Sequence, residues 1–194
     1  DNVLIGEFGQ EHRDFVSIAD TPVLIKNALL SIEDARFYSH SGVDFIGLAR
    51  AVVADLTGGM RQGASTITMQ VARNFYLTQE RTLERKLKEA ILTYRIEEAL
   101  TKDQILELYM NQIYLGQRSY GFSSAARTYF GKSLSELSIA QAAMLAGVPQ
   151  NPVRHNPAVN LERAKRRQML VLKSMLRQGH ITQAQFDQAS TEPI

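Results

Sequence analysis

The feature that most constrains this chain is a run of helix-start signals that begins near residue 20 and continues almost to the end. Asp20 or Thr21 is placed to cap a helix with Pro22 in its first turn, where the missing N–H costs nothing. Thr101 with Gln104, and Ser138 with Gln141, form capping boxes ahead of apolar runs. Thr182 and Gln185 do the same for a last short helix, while Gly147 with Pro149, and Gly179, supply stops. Strand character is confined to the start. Val3-Leu4-Ile5-Gly6-Glu7-Phe8 and Phe15-Val16-Ser17-Ile18 read as extended, with a short hairpin across Gly9 to Asp14. The expected fold is mainly α with a small β-like entry, residues 1–18 being an extended linker and 19–194 one domain.

The first helix is expected to run from Pro22 to about Tyr38. Gly58-Gly59 and Gly63 punctuate a loop, and another helix starts near Ser65. From about Gln79 to Ala99 the pattern is amphipathic, with Leu83, Leu87, Ile91 and Tyr94 at helical spacing. Leu161 to Arg177 reads as a basic amphipathic helix. Val43 to Leu56 is apolar apart from Asp44, Arg50 and Asp55, and two readings stay open for it: a core helix, or a segment dipping into a membrane interface.

Composition excludes several classes of function. Hydrophobic residues make up 44% and charged residues 22% of the 194, which is globular rather than disordered. A formal charge of +2 gives no ground for a nucleic-acid partner. The absence of cysteine excludes disulfides, thiol catalysis and a Cys-bound zinc site. His12, His40, His155 and His180 show no ligand spacing, so no metal site is expected from them. No apolar run reaches the ~18 residues a membrane-spanning helix needs, and no signal peptide is present. The chain reads as a segment of a longer protein.

Three clusters are candidates for chemistry. In a continuing helix, Glu33, Arg36, Phe37 and His40 would share one face with Leu29 and Leu30 nearby. A carboxylate among apolar neighbours has a raised pKa, which suits proton transfer near neutral pH. The plainer reading is a solvated Glu33 paired with Arg36, with Asp34 structural. Gly63-Ala64-Ser65-Thr66 opens a helix that carries Gln70, Arg73 and Asn74. Free N–H and O–H donors at such a start can hold phosphate, although an N-capped helix is the plainer reading. Arg85, Lys86 and Glu89 form either an ordinary i,i+4 surface pair, worth about 0.3–0.5 kcal/mol, or a charged wall facing an anionic substrate.

Taken in order, these blocks resemble the glycosyltransferase domain of the class A penicillin-binding proteins, a family that also holds monofunctional peptidoglycan glycosyltransferases. The matching stretches are Glu33-Asp34-Ala35-Arg36-Phe37-Tyr38-Ser39-His40-Ser41-Gly42, Gly63-Ala64-Ser65-Thr66-Ile67-Thr68-Met69-Gln70 and Arg85-Lys86-Leu87-Lys88-Glu89. Ile105-Leu106-Glu107-Leu108-Tyr109-Met110-Asn111 with Tyr114-Leu115-Gly116, and Ala142-Ala143-Met144-Leu145-Ala146-Gly147, complete the series. The resemblance covers essentially the whole chain. Two positions depart from the family pattern: Met69 replaces a glutamine and Arg73 stands where lysine is common.

The resemblance implies a lysozyme-like fold with a large helical lobe and a smaller membrane-facing jaw. It implies polymerisation of lipid II into β-1,4-linked glycan with release of undecaprenyl diphosphate, at the periplasmic face of the bacterial inner membrane. Glu33 would be the catalytic base and Glu89 the second acidic group. Arg36, Phe37, His40, Gly63, Ser65, Thr66, Gln70, Arg73, Asn74, Arg85, Lys86, Glu107 and Asn111 would bind substrate. No cofactor is implied, although a divalent cation such as Mg or Mn assists some relatives. Phosphoglycolipid inhibitors such as moenomycin are expected at the donor site. A lysozyme-like hydrolase and a silent membrane- or partner-docking domain are the competing readings. Ser-x-x-Lys and Lys-Thr-Gly are missing, so no transpeptidase centre is expected in these residues.

Overall fold

The structure, a computed structural model, describes residues 12–47, 49, 65–75 and 83–194. Eight α-helices are named among these residues: α1 (Val23–Glu33), α2 (Ile67–Phe75), α3 (Leu83–Ala99) and α4 (Lys102–Gln112), then α5 (Phe122–Phe130), α6 (Ile139–Gly147), α7 (Leu161–Arg177) and α8 (Gln183–Thr191). Short 3₁₀ turns occupy Phe37–Ser39 and Leu134–Glu136. The expected capping boxes at Thr101, Ser138 and Thr182 are all formed, and Asn160 caps α7 by accepting from the Arg163 N–H.

The core lies where α1, α6 and α7 meet. Ile25, Ala28 and Leu29 of α1 are buried against the small residues Ala142, Ala143 and Ala146 of α6. Val171, Leu172 and Met175 of α7 close the other side. Small side chains on α6 let the backbones approach, and truncating a wholly buried leucine such as Leu29 costs about 2–5 kcal/mol. A second packing group joins α2 to both α3 and α4. It brings the glutamate at the end of α1 within reach of α2.

Helix α1 stops at Glu33, not at Tyr38. Asp34 leaves the helical conformation because its side chain is taken up elsewhere: Oδ2 accepts the Ile67 N–H at 3.0 Å, and the carboxylate accepts His40 Nε2 at 2.9 Å. At the other end Pro22 is the N-cap, and Asp20 and Thr21 instead bond to Ser17.

The start of the chain also pairs differently from a local hairpin. His12–Arg13 (β1) lies parallel to Ser119–Tyr120 (β2), in register His12 with Ser119 and Arg13 with Tyr120. The rest of the expected hairpin, up to residue 11, lies outside the described residues. Residues 14–18 are docked on the helices: Ser124 Oγ accepts the Asp14 N–H, Asn111 Oδ1 accepts the Val16 N–H, and Glu107 Oε2 accepts the Ile18 N–H.

Helix α3 buries an unexpected face. Leu87 is 63% exposed, and Ile91 and Tyr94 are exposed beside it, while Glu89, Thr93 and Ile96 face inward. An apolar stripe normally seeks the core. Here Glu89 can be buried because two arginines neutralise it, and that pairing turns the helix. Most of the Val43–Leu56 segment lies outside the described residues; Phe45 and Ile46, which are described, are exposed.

Candidate active site

Glu33 is the last residue of α1, with its side chain only 9% exposed. Two donors hold its two oxygens. Gln70 Nε2, from α2, donates to Oε2 at 2.9 Å, and Arg167 Nη2, from α7, lies 3.4 Å from Oε1. Gln70 is itself held, since Tyr109 Oη of α4 donates to its Oε1 at 3.1 Å. Four helices thus converge on one carboxylate. Burial pushes the Glu33 pKa up; the Gln70 hydrogen bond and the Arg167 charge pull it partly back, and neighbouring Asp34 raises it slightly. The result is a carboxyl held in place and shielded from bulk water, with a pKa moved toward neutrality. A carboxyl in that state is chemically suited to proton transfer near neutral pH.

Arg167 reaches this position because α6 ends in Gly147. A Cβ at Gly147 would sit 2.8 Å from Arg167 Cγ, so only glycine leaves room for the arginine stem. His155 stands beside Arg167, and burial together with the nearby arginine charges lowers its pKa.

One turn further along α2 a second cluster forms around Glu89, which is 4% exposed. Arg73 Nη2 contacts Glu89 Oε1 at 2.8 Å, and Arg85 Nη1 contacts Oε2 at 3.1 Å. Arg73 also donates to Ser65 Oγ at 3.3 Å. Two guanidinium groups on one carboxylate leave a surplus of positive charge, and Arg73 remains 45% exposed at its side chain. Gln70 and Arg73 are spaced i,i+3, so both clusters lie on one face of α2, about 4.5 Å apart along its axis.

The remaining candidates sit elsewhere. Thr66 donates to the Gly42 carbonyl at 2.5 Å and accepts the Met69 N–H, so it caps α2. The anion received by the start of α2 is the protein's own Asp34. His40 bonds to Asp34 through Nε2 and accepts the Gly42 N–H on Nδ1, which makes Nε2 the protonated nitrogen. Phe37 is buried with the Lys102 ammonium 4.5 Å from its ring centroid, and Arg36 Nε lies 3.5 Å from Asp44. The i,i+3,i+4,i+7 face expected for Glu33, Arg36, Phe37 and His40 does not form, because α1 has already ended. Glu107 and Asn111 hold the backbone of residues 16–18. Lys86 and Asn74 are exposed, and Gly63 lies outside the described residues.

Sequence reasoning missed Arg167 and Tyr109. A signal existed for the first: Ala164, Arg167, Gln168, Val171, Leu172 and Met175 form one buried face, and a cation inside an apolar stripe needs a buried partner. Tyr109 carries no comparable signal, being buried on α4 together with Ile105, Leu106 and Met110. Among the described residues, no group of three or more His, Cys, Asp or Glu side chains is placed to hold a metal ion.

The geometry defines a helical protein with one nearly buried carboxylate of raised pKa beside a cationic cluster. Comparison with known proteins narrows the class. Residues 1–176 match the transglycosylase family. Penicillin-binding protein 1A of Neisseria flavescens is 55% identical across the whole chain, and a putative transglycosylase of Cupriavidus necator is 56% identical over 93% of the chain and 78% of its own length. The crystal structure of penicillin-binding protein 1A from Haemophilus influenzae matches 98% of the chain with a TM-score of 0.60 at 30% identity, over 19% of its own length. The chain belongs to the transglycosylase family. It spans about a quarter of the length of the penicillin-binding proteins it matches.

Proposed function

We propose that this chain polymerises lipid II into β-1,4-linked glycan, with Glu33 as general base and inversion at the anomeric carbon. The observation that carries the reading is Glu33 itself, a nearly buried carboxylate with a raised pKa, one helical turn from the arginines around Glu89. The acceptor is the sugar 4-hydroxyl of one lipid-linked unit. Its oxygen attacks the anomeric carbon of the donor, and Glu33 takes the hydroxyl proton as the new C–O bond forms. The bond to the lipid diphosphate breaks, and its electron pair leaves with the phosphate oxygen. Arg73 and Arg85, with Lys86 nearby, stabilise the charge that develops there. The proton on Glu33 then passes to solvent and resets the base.

This chemistry gives Glu89 an anchoring part: it holds two guanidiniums where a diphosphate meets them without having to order them first. The same cationic cluster is the expected seat of phosphoglycolipid inhibitors such as moenomycin. The exposed Phe45, Ile46, Leu87, Ile91 and Tyr94 suit a lipid surface, consistent with work at the periplasmic face of the inner membrane. No helix among the described residues is long and apolar enough to cross a membrane.

A raised glutamate pKa also suits the general acid of a glycan-cleaving enzyme. Cleaving a neutral glycosidic bond needs no cations for a departing diphosphate, so the Arg73–Glu89–Arg85 cluster favours transfer. The test is polymerisation of labelled lipid II in detergent by the wild-type chain and by Glu33→Gln, with products resolved by length. Strands from wild type and a loss of about 10³-fold or more in the variant are expected, as for removal of an essential base. Degradation of preformed glycan, without strand formation, would move the assignment to the hydrolase.

A further inference from the structure

Gln70 presents Glu33 with an amide whose two ends have opposite polarity, and only one orientation serves an ionised base. A carboxylate accepts hydrogen bonds and donates none, so the amide must turn Nε2 toward it, as it does at 2.9 Å. A flipped amide would set carbonyl against carboxylate. That arrangement favours protonated Glu33, which then donates to the carbonyl and no longer takes a proton from substrate. Behind the amide, Tyr109 Oη donates to Gln70 Oε1 at 3.1 Å. Tyr109 is wholly buried. Burial and the Glu33 charge push its phenol well above 10, so it stays protonated and remains a donor across the working range.

Resting on the reading of Glu33 as the base, we propose that Tyr109 is a positioning residue that locks the Gln70 amide with its NH2 toward Glu33 and keeps that carboxylate ready to accept a proton. The charged groups facing Glu33 are Arg167 from α7 and Asp34 beside it in sequence. Helix α6, which also packs on α1, carries no titratable side chain. Arg73 and Arg36 are turned to Glu89 and Asp44, and His155 stands beside Arg167. Among the described residues Gln70 is thus the neutral group that hydrogen-bonds the carboxylate, and Tyr109 is what fixes its sense.

The experiment is the pH dependence of kcat/KM for lipid II polymerisation by Tyr109→Phe, with a ¹³C titration of the Glu33 carboxyl carbon. Losing one net buried hydrogen bond, the acid limb and the titration move up by roughly half to one pH unit, with the high-pH rate nearly retained. Gln70→Leu moves them in the same direction, and adding Tyr109→Phe to Gln70→Leu brings no further movement. A limb and titration unmoved in folded Tyr109→Phe overturn the proposal, as does a fully additive shift in the double variant. Should Tyr109→Phe not fold, 3-fluorotyrosine incorporated at position 109 strengthens the donor and lowers the limb; no movement there also overturns it. Glu33→Gln is run in parallel. Substantial polymerisation by that variant removes the base reading and this proposal with it, whereas an inactive Glu33→Gln beside an unmoved Tyr109→Phe overturns the proposal alone.

Discussion

Replacing Arg167 with methionine removes the only full positive charge that meets Glu33 in the described residues while keeping an apolar stem of similar length. The two side chains are about nine-tenths buried and their charges stand 3.4 Å apart. At that separation two unit charges attract by about 1.2 kcal/mol in water and by about 5 kcal/mol at an effective dielectric near 20. One pH unit corresponds to about 1.4 kcal/mol, so the Glu33 titration rises by about one unit even at the lower bound. The acid limb of kcat/KM follows it. Stability carries the same signature. A carboxyl whose folded pKa is raised binds more protons in the folded than in the unfolded state, so stability falls as pH climbs from the ordinary 4.5 through the folded value. Arg167→Met steepens that fall, and its deficit against wild type grows as pH rises above the ordinary 4.5 in denaturant titrations. An unmoved ¹³C titration of Glu33, or a deficit independent of pH, would refute the pairing and leave Arg167 as packing.

Other expectations follow from the same geometry. Glu33→Gln lacks the ionisation altogether, so its unfolding free energy gains on that of wild type as pH rises above about 4.5, whatever the offset between them; parallel pH curves would count against a raised Glu33. Gly147→Ala places a Cβ against the Arg167 stem and reproduces the Arg167→Met pH profile in weaker form, with rescue by no surface change elsewhere. Glu89→Gln frees Arg73 and Arg85 from a shared anchor, and a several-fold rise in donor KM is expected with the acid limb unmoved. Asn111→Ala releases the backbone of Val16, costing about 1–3 kcal/mol of unfolding free energy in denaturant titrations while leaving donor KM unchanged; a selective KM effect would place Asn111 in the substrate site instead.

Much was decided by the sequence alone. Capping boxes at Thr101, Ser138 and Thr182 set helix starts because they satisfy backbone N–H groups locally, and local chemistry is readable without a fold. The ordered blocks around Glu33, Gln70 and Glu89 pointed to the transglycosylase family through their resemblance to it, which also needs no fold. What tertiary structure decided are the contacts between distant residues. The first helix ends at Glu33 because Asp34 is drawn to the Ile67 N–H, 33 positions later. Helix α3 turns Leu87 outward while Glu89 faces inward to Arg73, which lies across the gap between α2 and α3. Arg167 meets Glu33 from 134 residues away, through a space left by a glycine on a third helix. Periodicity reports which residues share a face, but a buried charge goes where its partner is, and only the packed chain sets that place.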